Sequence, residues 1–478
     1  MKDHFNEDEI LQEKSTSAQY ILDIIQHQRA YFATQATKSI EFRKTQLMKL
    51  FKLIEKHQEP LLEALYKDLR KHEFEAYSTE LGLVLHDIKK TYKNVANWAK
   101  PREVKTPLFQ MKANSYLCPE PYGNTLIVGP WNYPLQLVFM PLVGAIAAGN
   151  TAIIKPSEFA VSTSKLIANI INKNFDAKYI HVIEGAVEET QILLKEKFDY
   201  IFFTGSVGVG KIVYKAAAEH LTPVTLELGG KSPCIVDNDT HLTYTAKRLV
   251  WGKLTNVGQT CIAPDYVLVD RKIKDRLIAK IKECIIKSYG QNPQTSDSYG
   301  RIINEKHWER LVGYLKDGGE VVFGGTHDKD DLYIAPTLVD HVNINSSLMK
   351  DEIFGPILPI IAYDRIEEAI EYINKNAKPL ALYVFSKNNK FVDKVLSQTS
   401  SGGVTVNDTL MHIVNDALPF GGVGDSGIGA YHGKHSFDTF SHIKPVLHRS
   451  FLIEEPIRYA PYNKLDKKWL KVIFDWTL

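Results

Sequence analysis

The chain has 478 residues, and its content of 44% hydrophobic and 24% charged residues is that of an ordinary soluble globular protein. This length exceeds what one hydrophobic core can organise, so we expect two or three domains. The 58 basic and 56 acidic residues nearly balance and are mixed along the chain, which gives no electrostatic argument for nucleic acid as a partner.

The first hundred or so residues are predicted to form helices. Apolar positions recur at helical spacing in Thr45–Ile54 and again from Leu61 to Leu69. Pro101 closes this block, because proline seldom continues a helix. The segment from Val104 to Glu120 has extended character, and we expect it to form an arm or a hairpin that leaves the domain.

Short apolar runs then alternate with helix-like segments. The runs share an enrichment in β-branched or aromatic residues and lie at 124–129, 151–155, 179–183, 200–204, 232–236, 266–269, 319–323, 358–362, 382–385 and 403–407. Such alternation predicts parallel strands that are buried on both faces of a doubly wound sheet. Two α/β domains in series are the simplest arrangement.

The four cysteines, Cys118, Cys234, Cys261 and Cys284, are widely spaced and have no C-x-x-C pair. We therefore expect neither a disulfide framework nor a bound metal. Free thiols, together with a polar opening that lacks a signal peptide, predict a cytoplasmic protein. No run approaches the roughly 18 apolar residues of a membrane span, so no integral membrane segment is expected.

One cysteine stands among residues that suggest chemistry. Cys261 lies in Asn256-Val-Gly-Gln-Thr-Cys-Ile-Ala-Pro264, and Glu227 lies upstream in Thr225-Leu-Glu-Leu-Gly-Gly-Lys231. A thiol and a carboxylate, each framed by glycines, suggest a nucleophile and a general base held on tight backbone. The alternative is an inert packing cysteine, since free cysteines are among the most buried residue types.

The segment Phe202-Phe-Thr-Gly-Ser-Val-Gly-Val-Gly-Lys211 stands where a strand should give way to a helix. Its glycines would let a dinucleotide approach the N–H groups of the helix N-terminus. It matches neither standard pattern: Val213 replaces the third glycine of G-x-G-x-x-G, and Ile212 replaces the hydroxyl residue of a Walker loop. An ordinary helix start is therefore the alternative.

Three further motifs present polar side chains in rigid turns. Gly129-Pro-Trp-Asn-Tyr-Pro134 could aim the amide of Asn132 at a developing oxyanion, although a structural turn would explain the motif if it stood alone. Lys155 and Glu158 follow a predicted strand at its carboxyl end, where open α/β sheets bind ligands. Glu352 begins another glycine-proline turn, Glu-Ile-Phe-Gly-Pro.

Taken in chain order, the motifs P-W-N-Y-P, K-P-S-E, F-F-T-G-S, E-L-G-G-K, G-Q-T-C, E-I-F-G-P and P-F-G-G-V-G-D-S-G-I-G resemble those of the aldehyde dehydrogenase superfamily. The resemblance runs from roughly residue 20 to roughly residue 450. Val406-Asn-Asp-Thr-Leu and the segment from Tyr431 to His442 look most like the class 3 branch, which includes fatty and aromatic aldehyde dehydrogenases.

The resemblance implies a role for each site residue. Cys261 would be the nucleophile, Glu227 the base that activates water, and Asn132 an oxyanion donor. The implied cofactor contacts are Lys155 and Glu158 at the adenine-side ribose, Glu352 at the nicotinamide ribose, Phe354 and Trp131 beside it, and Gly205, Ser206 and Gly210 at the pyrophosphate. The function so implied is NAD(P)-dependent oxidation of aldehydes to carboxylic acids through a cysteine thiohemiacetal and thioester.

Several expectations about substrate and partners follow from the same resemblance. Medium- or long-chain aliphatic or aromatic aldehydes are the expected substrates, and a homodimer is the expected assembly. NAD is the expected cofactor, with NADP tolerated, because a carboxylate at Glu158 would repel a 2′-phosphate. A cofactor-independent cysteine esterase or hydrolase is the alternative function, and a binding protein that keeps the fold without activity is a third.

The resemblance also implies a domain division. A variant Rossmann cofactor domain would cover residues 1–102 and 119–226, and an α/β catalytic domain residues 227–418. A small bridging β arm would come from residues 103–118 and 434–450, and a C-terminal tail from residues 451–478.

Overall fold

The structure is a computed structural model that describes residues 7–107, 110, 112–454, 458–462 and 464–477. Five helices come first: α1 Glu7–Ala33, α2 Ile40–Lys56, α3 Gln58–Leu69, α4 Glu73–Ala76 and α5 Gly82–Trp98, with a π-helical turn over Tyr77–Leu81 between the last two. Helix α2 buries Leu47, Leu50 and Ile54, which recur at the spacing of one helix face. The predicted helical block is thus confirmed.

Two strands of the arm follow, and then the first large sheet begins. The elements are β1 Arg102–Val104, β2 Ala113–Pro121, β3 Asn124–Val128, α6 Gln136–Ala148, β4 Thr151–Lys155, α7 Val161–Asn174, β5 Ile180–Val182, α8 Val187–Lys195, β6 Tyr200–Thr204, α9 Val207–Glu219 and β7 Val224–Glu227. Strands β7, β6, β3, β4 and β5 lie side by side in that order and are parallel. This is a five-stranded variant of the Rossmann arrangement.

The second large sheet starts directly after β7. Its region contains β8 Pro233–Val236, α10 Leu242–Leu254, β9 Tyr266–Asp270, α11 Lys274–Tyr289, α12 Glu305–Tyr314, β10 Glu320–Phe323, β11 His327–Asp328, β12 Tyr333–Ile334, β13 Thr337–Asp340, α13 Ser347–Lys350, β14 Ile357–Tyr363, α14 Ile366–Lys375, β15 Ala381–Phe385, α15 Asn389–Gln398 and β16 Gly403–Val406. The strand order is β10-β13-β14-β9-β8-β15-β16.

All of these strands are parallel except β10, which pairs antiparallel with β13. The sequence predicted only parallel strands, and that prediction is wrong for β10. The reason is the connection between the strands. The chain passes from β10 to β13 through the short β11–β12 hairpin, without the crossover helix that two parallel neighbours would require.

The last elements return to earlier parts of the molecule. They are β17 Gly427–Ile428, α16 Lys434–Thr439, β18 Ser441–Arg449 and α17 Lys464–Thr477. Strand β17 pairs antiparallel with β7 at the edge of the first sheet, whereas β18 joins β2 and β1 in a separate three-stranded arm. The arm strand begins at Ser441, later than the predicted 434, because Lys434–Thr439 are helical. The domain boundaries stay a prediction.

Candidate active site

The predicted nucleophile and base meet between the two large sheets. Glu227 is the last residue of β7, and Cys261 lies in the loop between α10 and β9. Both residues line two cavities, one of about 400 Å³ and one of about 250 Å³. The two side chains thus stand where the cavities adjoin.

The loop that carries Cys261 has an unusual backbone. Asn256 and Val257 have φ angles of 52° and 56°, and Gly258 follows at 75°. A Cβ on Gly258 would lie 2.3 Å from the carbonyl oxygen of Gly355, so only glycine fits there. Positive φ angles in non-glycine residues require support from neighbouring structure and concentrate at functional sites. The loop is therefore held by its surroundings rather than by its own sequence.

Burial disfavours the charged forms of both reactive groups. Burial first, and then the carboxylates of Glu352 and Glu227, raise the pKa of the Cys261 thiol above its usual range. Burial also raises the pKa of Glu227 well above its usual value. Neither carboxyl oxygen of Glu227 accepts a hydrogen bond from any described residue. A buried carboxyl without a structural partner is a marker of a functional site.

Asn132 is brought to the same place by the turn after β3. Its side chain is buried, and Nδ2 donates a hydrogen bond to the carbonyl oxygen of Gln259 at 3.0 Å. The main-chain carbonyl oxygen of Asn132 accepts hydrogen bonds from Asn256 Nδ2 at 2.9 Å and from Lys71 Nζ at 3.3 Å. Because an amide nitrogen carries two hydrogens, Asn132 retains a second donor. The turn is therefore tied directly to the cysteine loop.

The larger of these two cavities is lined by the residues predicted at the nicotinamide ribose and by two of the three predicted at the pyrophosphate. Trp131, Gly205, Ser206, Glu352 and Phe354 line it together with the catalytic candidates. The Trp131 and Phe354 rings meet edge to face, with centroids 5.3 Å apart. Burial, followed by the charge of Asp265, raises the pKa of Glu352 to about 8. The structure brings these residues together as the motifs predicted.

Gly229, the first glycine of E-L-G-G-K, lets Glu352 approach the backbone. A Cβ at this position would lie 2.0 Å from Glu352 Oε2. Any side chain there would displace the carboxyl group. This close approach is the physical reason for a glycine two residues after Glu227.

Lys155 and Glu158 lie at another part of the same sheet edge. Lys155 is buried, and its Nζ donates to the carbonyl oxygen of Pro156 at 2.8 Å and stands 3.7 Å from Glu158 Oε2. Glu158, but not Lys155, lines a third cavity of about 490 Å³. Gly210 lines none of these three cavities: it lies inside α9, where a Cβ would meet Leu228 Cδ2 at 2.6 Å.

The smaller cavity that Cys261 and Glu227 share is mainly apolar. Helices α5, α6 and α10, the segment 410–420 and the neighbouring turns supply its walls. The apolar and aromatic lining residues are Leu83, Tyr133, Leu137, Trp251, Ile262, Leu410, Met411, Ile413, Val414, Phe420 and Tyr431. Cys261 therefore lies between the two cavities: the larger has the greater share of polar and charged lining residues (the polar cavity), and the smaller is mainly apolar (the apolar cavity).

Comparison with known proteins agrees with this geometry. A sequence model described as the aldehyde dehydrogenase family matches residues 1–446. The chain belongs to the aldehyde dehydrogenase family.

Individual relatives place the chain within that family. It is 52% identical over 447 residues to a 4,4′-diaponeurosporen-aldehyde dehydrogenase of Staphylococcus aureus, covering 93% of this chain and 97% of that protein. It is 47% identical over 449 residues to aldehyde dehydrogenase family 3 member A2 of Rattus norvegicus (94% and 93% covered). It is also 47% identical over 444 residues to a dimeric NADP-preferring aldehyde dehydrogenase of Canis lupus familiaris (92% and 98% covered).

A solved structure, described as the substrate-bound state of Staphylococcus aureus AldH, is similar to the whole fold. It is 51% identical, has a TM-score of 0.93, and covers 95% of this chain and 99% of that chain. The predicted class 3 resemblance and the aldehyde dehydrogenase-like fold are confirmed. The chain is an NAD(P)-dependent oxidoreductase that oxidises aldehydes to carboxylic acids.

Sequence reasoning missed residues that support the aldehyde dehydrogenase site. Gln259 and Asn256 stand inside the cysteine motif, so their proximity was a usable signal for a positioning role. His307 and Arg310 of α12 line the larger cavity, and neither lies in a motif that could be recognised from the sequence. Lys71 and Glu80 contact the Asn132 turn from about fifty residues or more upstream, a distance at which sequence carries no signal.

Within the described residues, no helix is long and apolar enough to cross a membrane. The same part of the chain holds no group of three or more His, Cys, Asp or Glu side chains that could bind a metal ion. All four cysteines are free.

Proposed function

We propose that Cys261 carries the acyl group during aldehyde oxidation and that Glu227 activates the water that releases it. The observation that carries this proposal is that both residues line the polar cavity and the apolar cavity at once. One side can therefore hold a dinucleotide and the other an aldehyde chain, with the thiol between them. A hydrolase without a cofactor would have no use for the polar cavity.

The residues of the polar edge fit a nicotinamide dinucleotide. The loops after β3, β6 and β7 line the larger cavity, and those after β4 and β5 line the cavity at Glu158, all at one edge of the parallel sheet. Ser206 caps α9, and a Cβ on Gly208 would meet no atom within 4 Å. An exposed helix N-terminus of this kind suits a pyrophosphate. When bound, the dinucleotide supplies the hydride acceptor.

Acyl transfer begins with proton removal from Cys261. Because its pKa is raised, the thiol needs a base, and Glu227 has a raised pKa suited to accept the proton. Attack of the thiolate on the aldehyde carbon forms a thiohemiacetal oxyanion. The second N–H of Asn132 Nδ2 and the backbone N–H of Cys261 stabilise that oxyanion, whose charge develops only near the transition state.

Loss of hydride from the thiohemiacetal carbon leaves a thioester on Cys261. Glu227 first releases the thiol proton to solvent and then removes a proton from water as the water oxygen adds to the thioester carbonyl. The carboxylic acid leaves, and the released Cys261 thiolate takes the proton from Glu227, which restores the thiol. The isolated, buried carboxyl of Glu227 suits this step because no ion pair lowers its basicity.

The apolar cavity supports medium- or long-chain aliphatic or aromatic aldehydes as substrates. Its walls are mostly hydrocarbon and aromatic, so burial of an apolar chain supplies binding free energy. The relative that acts on diaponeurosporen-aldehyde, by its name, takes an apolar substrate as well.

Cofactor preference, assembly and location are further parts of this proposal. NAD is preferred because Glu158 and the neighbouring Glu184, Glu188 and Glu189 line the third cavity and would repel a 2′-phosphate. The β1-β2-β18 arm joins two copies in a homodimer, which the name of the dimeric relative supports. We place the enzyme in the cytoplasm, as its free thiols indicate.

The decisive experiment follows NADH absorbance with aldehydes from acetaldehyde to long-chain and aromatic ones, with NAD and with NADP. We expect kcat/KM to rise with chain length and to disappear in Cys261→Ala. Activity that survives in Cys261→Ala would overturn the proposed mechanism. Ester hydrolysis without any NADH formation would favour the hydrolase instead.

A further inference from the structure

A buried ion pair lies behind the turn that carries Asn132. Lys71 Nζ and Glu80 Oε1 are 2.6 Å apart, and their side chains are 1% and 0% exposed. Lys71 follows α3, and Glu80 lies in the π-helical turn Tyr77–Leu81. Neither residue lines the cavities described above. Two charges buried this deeply lose much hydration free energy, so such a pair is weak evidence for stability alone.

The remaining hydrogen bonds of both charges go to the Asn132 turn. Lys71 Nζ donates to the carbonyl oxygen of Asn132 at 3.3 Å and lies 4.2 Å from the ring centroid of Tyr133. Glu80 Oε2 accepts from the backbone N–H groups of Leu135 at 3.0 Å and Gln136 at 3.3 Å. The pair therefore holds both the turn and the first residues of α6.

The same turn contacts the cysteine loop on its other side. Asn256 Nδ2 donates to the Asn132 carbonyl oxygen, and Tyr133 Oη lies 2.6 Å from Thr260 Oγ1. The partly buried carboxyl group of Glu75 accepts the backbone N–H of Asn256 at 2.7 Å. The peptide that carries the oxyanion donor is thus fixed from two directions, by the ion pair and by the cysteine loop.

We propose that Lys71 and Glu80 are positioning residues, which aim the Asn132 amide at the oxyanion of the Cys261 adduct. The inference rests on the proposed oxyanion role of Asn132. A displacement of the donor by a fraction of an ångström weakens a hydrogen bond that exists only near the transition state. Loss of the pair should therefore slow hydride transfer and leave substrate binding unchanged.

The test measures single-turnover NADH formation with a long-chain aldehyde, together with KM values and the thermal unfolding midpoint. We expect Asn132→Ala to slow hydride transfer about a hundredfold. We expect Lys71→Met to slow it roughly tenfold, with KM for NAD and aldehyde unchanged and with partial recovery in Lys71→Arg. If Lys71→Met does not fold, Glu80→Gln tests the ion pair in its place, since it removes the charge of Glu80 and keeps an acceptor for the Leu135 and Gln136 N–H groups.

A double-mutant cycle separates positioning from general destabilisation. In the Asn132→Ala background, Lys71→Met should cause little further slowing, because the donor it aims is already gone. Equal slowing in both backgrounds, or unchanged hydride transfer in folded Lys71→Met, would overturn the inference and leave the role of Asn132 intact. Full activity in Asn132→Ala would instead refute the proposed oxyanion donor and this inference with it.

The matched control is the ion pair between Lys274 and Asp340. It is also largely buried, with side chains 15% and 11% exposed and a separation of 2.8 Å, but it lies at α11 and β13 and lines neither catalytic cavity. Lys274→Met should lower the unfolding midpoint and leave the single-turnover rate unchanged. A comparable loss of rate there would show that any buried ion pair has this effect.

Discussion

At the scale of single residues, the site combines groups whose charged forms are disfavoured. Glu227 is buried and Cys261 is partly buried, and desolvation raises the pKa of both, so a neutral thiol stands near a basic carboxyl group. Burial makes the carboxylate a better proton acceptor than an exposed glutamate. In the proposed mechanism, attack by Cys261 therefore requires proton transfer to a base rather than a standing thiolate.

Replacement of the base gives the first prediction. Glu227→Gln should show a burst of NADH followed by a lower steady rate, because hydrolysis of the thioester becomes limiting. Stopped-flow absorbance measures both phases. Leu228→Met, a neighbouring change without a titratable group, is the control. An unchanged steady rate in Glu227→Gln would exclude this residue as the base for water.

The raised pKa of Glu227 also predicts a pH dependence. The base works only when deprotonated, so the steady rate should fall as pH decreases through the folded-state pKa. Because burial raises that pKa well above the usual 4.5, the fall should begin at a higher pH than an exposed glutamate would give. The residual rate of Glu227→Gln should lack this acid limb in a pH profile of kcat.

Glu158 gives a prediction about cofactor choice. Its carboxylate is two-thirds buried beside Lys155, so removal of the charge leaves a lysine that can attract a 2′-phosphate. Glu158→Gln should raise kcat/KM for NADP relative to NAD by about tenfold. The ratio of the two efficiencies measures this, with Lys165→Gln as a control at the same cavity. A ratio that stays constant would remove Glu158 from cofactor selection.

At the scale of elements, local patterns predicted the positions of strands better than the direction in which neighbouring strands run. Each predicted apolar run overlaps a strand, but β7 and β13 of the large sheets were missed, as were the two-residue strands β11, β12 and β17. Strand β7 ends at Glu227, inside a motif that was interpreted as part of the catalytic site rather than as a strand. Strand β13, Thr337–Asp340, is too short to show a clear alternation of apolar and polar residues. The predicted parallel orientation of β10 was wrong, because the connection between two strands, and not the sequence of either strand, decides whether they run parallel.

The packing of α5 against the segment before α16 contains another buried carboxyl group, that of Asp87. Asp87 is 4% exposed, and burial followed by the charge of Asp416 raises its pKa to about 7. Lys90, which is ion-paired with Asp416, partly lowers the pKa of Asp87. His86 Nε2 lies 3.7 Å from Asp416 Oδ2. The folded state therefore holds a proton on Asp87 more tightly than the unfolded chain does.

This proton makes stability depend on pH. A folded pKa above the usual 3.8 gives a stabilising contribution that is complete at low pH and is lost as pH rises through about 7. Relative to Asp87→Asn, the wild-type chain should lose about 2 kcal/mol between about pH 5 and about pH 8. Thermal unfolding of both proteins across this range is the measurement, with exposed Asp275→Asn as the control. Parallel curves would contradict the prediction.

At the scale of the whole molecule, the three-stranded arm is the surface that the proposed dimer uses. Its last strand exposes Ile443 and Leu447, which are 37% and 50% exposed and lie on one face at even spacing. Exposed apolar side chains on an edge arm favour association with another chain. The antiparallel pairing of β18 with β2 keeps the arm as one unit.

Light scattering tests the assembly directly. The wild-type chain should have twice its chain mass of 54.2 kDa. Ile443→Asp combined with Leu447→Asp should shift it toward the monomer, because a charge buried in an apolar contact is costly. Lys444→Gln, on the opposite face of the same strand, should leave the mass unchanged. A wild-type monomer would refute the proposed dimer.

The sequence by itself determined the family and the α/β class, and it named the candidate side chains whose roles stay a prediction. Seven motifs occur in order, each combining glycine or proline with a polar or reactive side chain, and the family they indicate is the one whose model matches residues 1–446. Local backbone chemistry is encoded where it occurs, which is why Cys261, Glu227 and Asn132 were recognisable without coordinates.

Only the tertiary structure decided what these turns contact. The two cavities that adjoin at Cys261, the close approach of Glu352 to Gly229 and the support of Asn132 by Lys71 and Glu80 all join segments far apart in the chain. It also showed that Gly210 makes room for Leu228 rather than lining a cavity. Burial, pKa and hydrogen-bond partners depend on what surrounds a group in space, and one sequence does not state its neighbours.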